Sequence, residues 1–207
     1  MALPLAYDSA LKKVSLDEDV SLSENKALNL EISQLNTLAK ELLNTNSEIP
    51  PPPAKEFFTK NLSMMVRKMH ESGVNSMRTS KFPEAAKQFT VALGLATARP
   101  KFESFQMTIP ETLLCIIGRC DANLKNENYM DAYLDAEILA TLGPNIPDNH
   151  FRKGMALLHL RQLQAAKTSF ETALTFGPSN PVILREINKE LEHVKHLIAE
   201  ENGEDDD

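Results

Sequence analysis

One spacing recurs along the chain and limits the folds that it can adopt. Ala, Phe and Ala stand four and three residues apart from Ala85 in FPEAAKQFTVAL, and the same spacing starts from Ala166 in LQAAKTSFETALTFGPSN. Between these copies, Ala132 lies 34 residues before Ala166, and Cys120 lies 34 residues before Gly154. A fixed period of this length is typical of proteins built from stacked helical repeats.

The period matches the tetratricopeptide repeat (TPR), a helix-turn-helix unit. Its eighth and twentieth positions need small residues because helices A and B approach most closely there, and an aromatic residue follows at the twenty-fourth position. On this register, repeat one covers about 66–99, repeat two 113–146 and repeat three 147–180. Gly177 and Pro178 are expected to end helix B of repeat three.

An insertion separates repeat one from repeat two. The corresponding small residues of these repeats lie 47 residues apart rather than 34, and Pro100 and Pro110 bracket the stretch that breaks the helical period. We place the insertion at about 99–112. After repeat three, the segment PVILREINKELEHVKHLIAEE carries its apolar residues on one helical stripe, which predicts a capping helix.

The start of the chain has a different pattern. Short alternating apolar stretches flank Asp8 in LAYDSALKKVSL, which predicts a hairpin. The apolar spacing of SQLNTLAKELLN predicts a helix that Ser33 could cap. The sequence therefore predicts a mainly α fold of three TPR helix pairs and a C-terminal capping helix, preceded by a small α/β piece. The expected domains are 1–48 (α/β region), 49–60 (Pro-rich linker), 61–201 (TPR domain) and 202–207 (acidic tail).

Charge and hydropathy exclude several classes of protein. The net charge of −7 argues against a nucleic-acid partner, although residues 61–189 alone carry +3. No apolar run is long enough for a membrane span, and no secretory signal is visible, so membrane association is expected to need a partner. The two cysteines, Cys115 and Cys120, fall in an apolar run and are expected to be reduced core thiols.

Catalytic and metal-binding patterns are not evident. His193 and His196 are three residues apart, but no third ligand lies near them in the sequence. No nucleophile with a base, no phosphate-binding loop and no pair of catalytic carboxylates stands out. The chain is therefore expected not to be an enzyme and to need no cofactor or metal.

The expected binding site is the groove lined by the A helices. Chaperone-binding TPR domains, which this register resembles, hold the carboxylates of a peptide tail with Lys, Arg and Asn at five positions, which we call the clamp pattern. Carried over to this chain, Arg152 matches the pattern. The other four positions hold His70, Val74, Gly118 and Asp148. The candidate groove residues are therefore Arg152, whose guanidinium can donate two hydrogen bonds to one carboxylate, and His70. Arg67 and Lys125 could contribute further positive charge.

The whole arrangement resembles one family. Its features are the short α/β start, the Pro-rich linker, the first repeat MHESGVNSMRTSKFPEAAKQFTVAL, the insertion RPKFESFQMTIPE and the third repeat opening DNHFRKG. Together they resemble the small cytosolic TPR subunit of the fungal post-translational protein-translocation complex of the endoplasmic reticulum (ER).

This resemblance implies a function and a set of partners. Members are non-enzymatic, peripheral at the cytosolic face of the ER membrane, and held there by a membrane-anchored subunit beside the J-domain subunit and the protein-conducting channel. Their groove would receive the C-terminal tails of cytosolic heat-shock chaperones. The departures from the clamp pattern imply a weaker or rearranged site. The alternative is a purely structural subunit whose groove is filled by its membrane-anchored partner.

Overall fold

The computed structural model describes residues 5–17, 20–21, 24–46, 59–100, 102–178 and 180–203. Two strands and eight helices lie in these residues. They are β1 Leu5–Asp8, β2 Lys13–Leu16, α1 Lys26–Thr45, α2 Lys60–Arg78, α3 Phe82–Thr97, α4 Thr108–Lys125, α5 Tyr129–Leu142, α6 Pro147–His159, α7 Leu163–Thr175 and α8 Pro181–Asn202.

The chain divides into two compact units. The first consists of Met1–Lys60 and Ala98–Thr108, and the second of Asn61–Thr97 and Ile109–Asp207. The Pro run from 49 to 53 and the last four residues of the acidic tail lie outside the described residues. The predicted linker and domain boundaries therefore stay predictions.

A hairpin opens the first unit, as the sequence predicted. β1 and β2 pair antiparallel, with Leu5 opposite Leu16. The Asp8 carboxylate accepts hydrogen bonds from the backbone N–H groups two and three residues later, at 2.9 and 3.0 Å, which fixes the turn. The Asn36 side chain of α1 both donates to the carbonyl of Val14 and accepts from its N–H, so it holds the helix on β2.

Helix α1 starts earlier than expected. It begins at Lys26, and Ser33 lies inside it, with a carbonyl that accepts the Thr37 hydroxyl at 2.9 Å. The expectation that Ser33 caps the helix was therefore wrong. The residues before it form a helix without strain because they contain Ala, Leu and Glu, and they continue an apolar face on which Ile32 is buried.

The second unit is built from helix pairs. α2 pairs with α3, α4 with α5 and α6 with α7 as the three repeats, and α8 closes the last pair with Ile187, Leu191 and Val194 buried. This confirms the predicted mainly α fold. Helix α7 ends two residues before Gly177, which has a φ of +65° that suits Gly, and Pro178 follows.

In repeats one and three, the aromatic residue of helix B packs against a glycine of helix A. Phe89 lies against Gly73, where a Cβ atom would come within 2.7 Å of the ring, and Phe170 lies against Gly154, where the distance would be 2.5 Å. In repeat two, Ala136 leaves room for a larger residue at the eighth position. That residue is Cys120.

Both cysteines are buried free thiols, as predicted. The Cys120 thiol donates to the Ala132 carbonyl at 3.4 Å, so the eighth and twentieth positions of repeat two meet as expected. Burial raises the pKa of Cys115 to about 11 and also raises the pKa of Cys120. At neutral pH both groups are therefore protonated and act as packing residues.

Candidate functional site

A cavity of about 610 Å³ lies among the A helices and the capping helix. We call it the Arg152 cavity. Its apolar lining comes from Met77 of α2, Leu124 of α4, Phe151 and Met155 of α6, and Ile183 of α8. Its ionisable lining consists of Asp121, Lys125, Asp148, Arg152, His159, Glu186, Lys189 and Glu190. A cavity of this size with convergent charges is suited to part of a peptide.

Arg152 is held by a carboxylate of the neighbouring repeat. Its Nε donates to Oδ1 of Asp121 at 2.7 Å, and its Nη2 donates to Oδ2 at 3.1 Å. The side chain of Arg152 is only 18% exposed and that of Asp121 is 39% exposed. Burial lowers the pKa of Arg152, but the hydrogen bond and the charge of Asp121 raise it, and the net shift is upward. The guanidinium therefore stays charged inside the cavity.

Lys125 lies one turn after Asp121 on α4 and also lines the cavity. The structure thus brings together two of the four candidate residues, Arg152 and Lys125. Asp148, which stands where chaperone-binding TPR domains carry a Lys, contributes a negative charge instead. With four carboxylates against three Lys and Arg side chains in its lining, the Arg152 cavity has a nearly balanced charge.

The other two candidates do not line this cavity. Arg67 is well exposed on α2 and forms an ion pair with Glu71, with 3.6 Å between Nε and Oε1. The His70 ring packs on Phe89 with 5.2 Å between ring centroids. Burial lowers the pKa of His70, and the nearby charge of Glu71 opposes this shift only in part. His70 is therefore neutral at pH 7 and supplies no positive charge there.

Packing explains why Gly118 replaces the Asn of the clamp pattern. A Cβ atom at Gly118 would lie 2.5 Å from the Phe89 ring. The ring is thus packed between Gly73 of α2 and Gly118 of α4, and we call these three residues the Phe89 seam. Val74, another departure from the pattern, packs against the same buried cluster. In this half of the groove, residues that could bind a ligand are replaced by residues that join two repeats.

Two features of the second unit were missed from the sequence. Arg119 of α4 donates two hydrogen bonds to the carboxylate of the buried Asp135 of α5, at 2.9 and 2.6 Å. The second feature is a row of apolar side chains on α5, four residues apart and 43 to 61% exposed. This α5 stripe consists of Met130, Leu134, Ile138 and Leu142. Its signal was available, because apolar residues recur at every fourth position of α5 in addition to those that face the core.

The described residues show neither a metal site nor a membrane span. No three His, Cys, Asp or Glu side chains among them are grouped to hold an ion. None of the helices in this part of the chain combines the length and hydropathy that crossing a bilayer needs.

Two proteins that resemble the chain over most of its length are translocation proteins. No protein-family model matches it. The translocation protein SEC72 of Saccharomyces cerevisiae is 30% identical over 175 residues, which cover 84% of this chain and 86% of that protein. The chain belongs to the SEC72 family. The ER protein translocation subcomplex subunit sec67 of Schizosaccharomyces pombe is also 30% identical, over 72% of this chain and 78% of that protein.

Solved structures agree with both the family and the repeats. A chain of the S. cerevisiae Sec complex, with a Sec61 pore ring and Sec63 FN3 double mutant, matches with a TM-score of 0.68 and 26% identity. The match covers 96% of this SEC72-family chain and 99% of that chain. The first TPR domain of Spaghetti (RPAP3), bound to the HSP90 peptide SRMEEVD, matches at 0.53 and 20% identity over 66% of this chain and 95% of that one. The second likeness confirms the TPR fold.

Proposed function

We propose that this chain is a non-enzymatic subunit of an ER protein-translocation complex and that its Arg152 cavity docks the acidic C-terminal tails of cytosolic chaperones. The relation to SEC72, to sec67 and to a chain of the Sec complex supports the first part. By this proposal its partners are a membrane-anchored subunit, the J-domain subunit and the protein-conducting channel. The membrane-anchored subunit holds it at the cytosolic face of the ER membrane, beside the other two.

The observation that carries the docking proposal is the position of Arg152 and Lys125 in one cavity with apolar walls. A tail that ends in acidic residues offers a terminal carboxylate and side-chain carboxylates to these cations. Apolar side chains between them would pack on Phe151, Met155 or Ile183. Arg is suited to this task because its planar fork binds a carboxylate through two parallel hydrogen bonds. The RPAP3 domain, which shares the fold, binds a tail of this chemistry.

The docking proposal is tested by titrating a peptide that ends in Glu-Glu-Val-Asp against the wild type and Arg152→Ala. Since a hydrogen-bonded charge contributes about 1.5–3 kcal/mol, the variant should bind at least about tenfold more weakly. Arg161→Ala is the matched control, because Arg161 is exposed and pairs with Glu201 away from the cavity. Equal binding by the wild type and Arg152→Ala would rule out docking in this cavity.

A second candidate function is that of a structural subunit that only joins other members of the complex. The α5 stripe favours it, because four exposed apolar side chains over three helical turns suit an apolar segment of another subunit. Leu134→Glu should then release the chain from the complex in a co-purification with its subunits, whereas Thr168→Glu on the exposed side of α7 should not. Retention of Leu134→Glu in the complex would show that the α5 stripe does not bind another subunit.

A further inference from the structure

The guanidinium of Arg152 is already occupied by a carboxylate of the chain itself. Asp121 takes Nε and Nη2, which form one of the two faces that an Arg offers to a bidentate carboxylate. We propose that Asp121 is an internal competitor, which holds Arg152 in a closed ion pair that an acidic tail must open or tolerate. This inference rests on the proposed docking function and assigns a specificity-determining role to Asp121.

Both ways of binding Arg152 are costly while Asp121 is ionised. A tail carboxylate that takes Nε and Nη2 has to displace Asp121. A tail carboxylate that takes the other face, through Nη1 and Nη2, comes to lie near the Asp121 carboxylate and is repelled by it. Removal of the Asp121 charge should therefore strengthen tail binding whichever face the ligand uses.

The difference in burial favours displacement of Asp121 over movement of Arg152. Arg152 is 18% exposed and surrounded by the cavity walls, whereas Asp121 is 39% exposed and can be hydrated when it leaves. Its α4 neighbour Lys125 is within reach of the same cavity. When the ion pair opens, the Asp121 side chain would thus move toward water, and Arg152 would stay in place for the ligand.

The other carboxylates of the cavity are placed differently. Glu190 faces the Lys189 ammonium at 3.0 Å and the His193 ring at 3.6 Å, both on its own helix. Asp148 adds to the field at Arg152, but Asp121, which accepts two hydrogen bonds from the guanidinium, makes the stronger contribution. Asp148 is therefore a suitable control, since it lines the same cavity and has the same charge.

The test compares Asp121→Asn with Asp148→Asn in titrations of the peptide that ends in Glu-Glu-Val-Asp, at one fixed ionic strength. Asn keeps the shape of Asp and can still accept a hydrogen bond from Arg152, so the fold should persist, and thermal unfolding checks this. We expect Asp121→Asn to bind at least about fivefold more tightly than wild type. Asp148→Asn should change the affinity by less than about twofold.

A second pair of variants separates competition from a general effect of charge. In an Arg152→Ala background, Asp121→Asn should bring no more gain than Asp148→Asn, because the group for which Asp121 competes is gone. Asp121→Ala should strengthen binding as Asp121→Asn does. Unchanged or weaker binding by Asp121→Asn would overturn the inference, since it would make Asp121 a residue that orients Arg152. An equal gain from Asp148→Asn would also overturn it.

The outcome for the wild type distinguishes this inference from the docking proposal. If the wild type binds the peptide through Arg152 and Asp121→Asn binds no better, docking stands and only the competition fails. If neither protein binds, both fail. If Asp121→Asn binds and the wild type does not, competition by Asp121 is strong enough to close the cavity, and the inference is supported.

Discussion

The Phe89 seam and the Arg152 cavity lie on neighbouring stretches of the same A helices, but the space is filled at the seam and open at the cavity. At the seam, Gly118 leaves space that an aromatic ring fills, and the ring joins two repeats. At the cavity, larger polar side chains such as Asp121 and Arg152 surround space that the chain leaves open. Positions on these A helices can thus either pack against a neighbouring helix or face an open cavity, and at Gly118 the Phe89 ring of helix α3 fills the space.

The largest effect is expected where the ring of the seam is removed. Phe89 is fully buried between two helices, so Phe89→Ala should lower the free energy of unfolding by about 3–5 kcal/mol. Phe105→Ala is the control, since Phe105 is 68% exposed and its loss should cost less than about 0.5 kcal/mol. Urea unfolding measures both. A similar small loss for the two variants would mean that the ring does not join the repeats.

A smaller loss should follow from filling the space at the seam. Gly118→Ala places a methyl group 2.5 Å from the Phe89 ring, which should lower the free energy of unfolding by about 1–3 kcal/mol. Gly94→Ala in α3 meets nothing within 4 Å and should instead raise it by about 0.5–1 kcal/mol, because Ala favours a helix. If Gly118→Ala also raises the free energy of unfolding, the Phe89 ring does not pack closely against Gly118.

The sequence predicted the architecture because its signals are periodic. Small residues, aromatic residues and Gly-Pro recur at fixed intervals, and this sufficed for three helix pairs and a cap. The bounds of the insertion stay a prediction from the register. Arg152 and Lys125 share a cavity because helices A of successive repeats lie side by side, as the register implied.

The partners of the site residues were harder to predict. Asp121 lies 31 residues from Arg152, and only the packing of α4 beside α6 brings them into contact. Gly118 was read as a departure from a binding pattern, although its neighbour Phe89 explains it through packing. His70 was a candidate on its position alone, and burial against Phe89 decides its charge. Each of these depends on contacts between helices that are distant in sequence, which no local pattern contains.

His70 offers a test of the seam by pH. Because burial lowers its pKa below 6.5 in the folded chain, the unfolded chain binds the proton more readily, and stability contributed at neutral pH is lost as the pH falls through 6.5. The urea midpoint of His70→Gln should therefore fall less than that of wild type between about pH 7 and about pH 5. An equal fall in both proteins would show that His70 titrates like an exposed residue.

The smallest effect is expected at Arg67. Its pair with Glu71 is solvent-exposed, so Arg67→Ala should change the free energy of unfolding by less than about 1 kcal/mol. Because Arg67 does not line the Arg152 cavity, the same variant should bind the acidic peptide within about twofold of wild type. A loss as large as that of Arg152→Ala would move the binding site toward the seam.

Acidic tails are proposed to bind in the Arg152 cavity and not over the Phe89 seam. Mapping backbone amide chemical shifts of the labelled chain during titration with the Glu-Glu-Val-Asp peptide tests it most directly. If the tails bind there, the largest changes should lie around Lys125, Arg152 and Lys189, with little change near Arg67 and His70. Changes concentrated on α2 around Arg67 and His70, or no changes at saturating peptide, would contradict it.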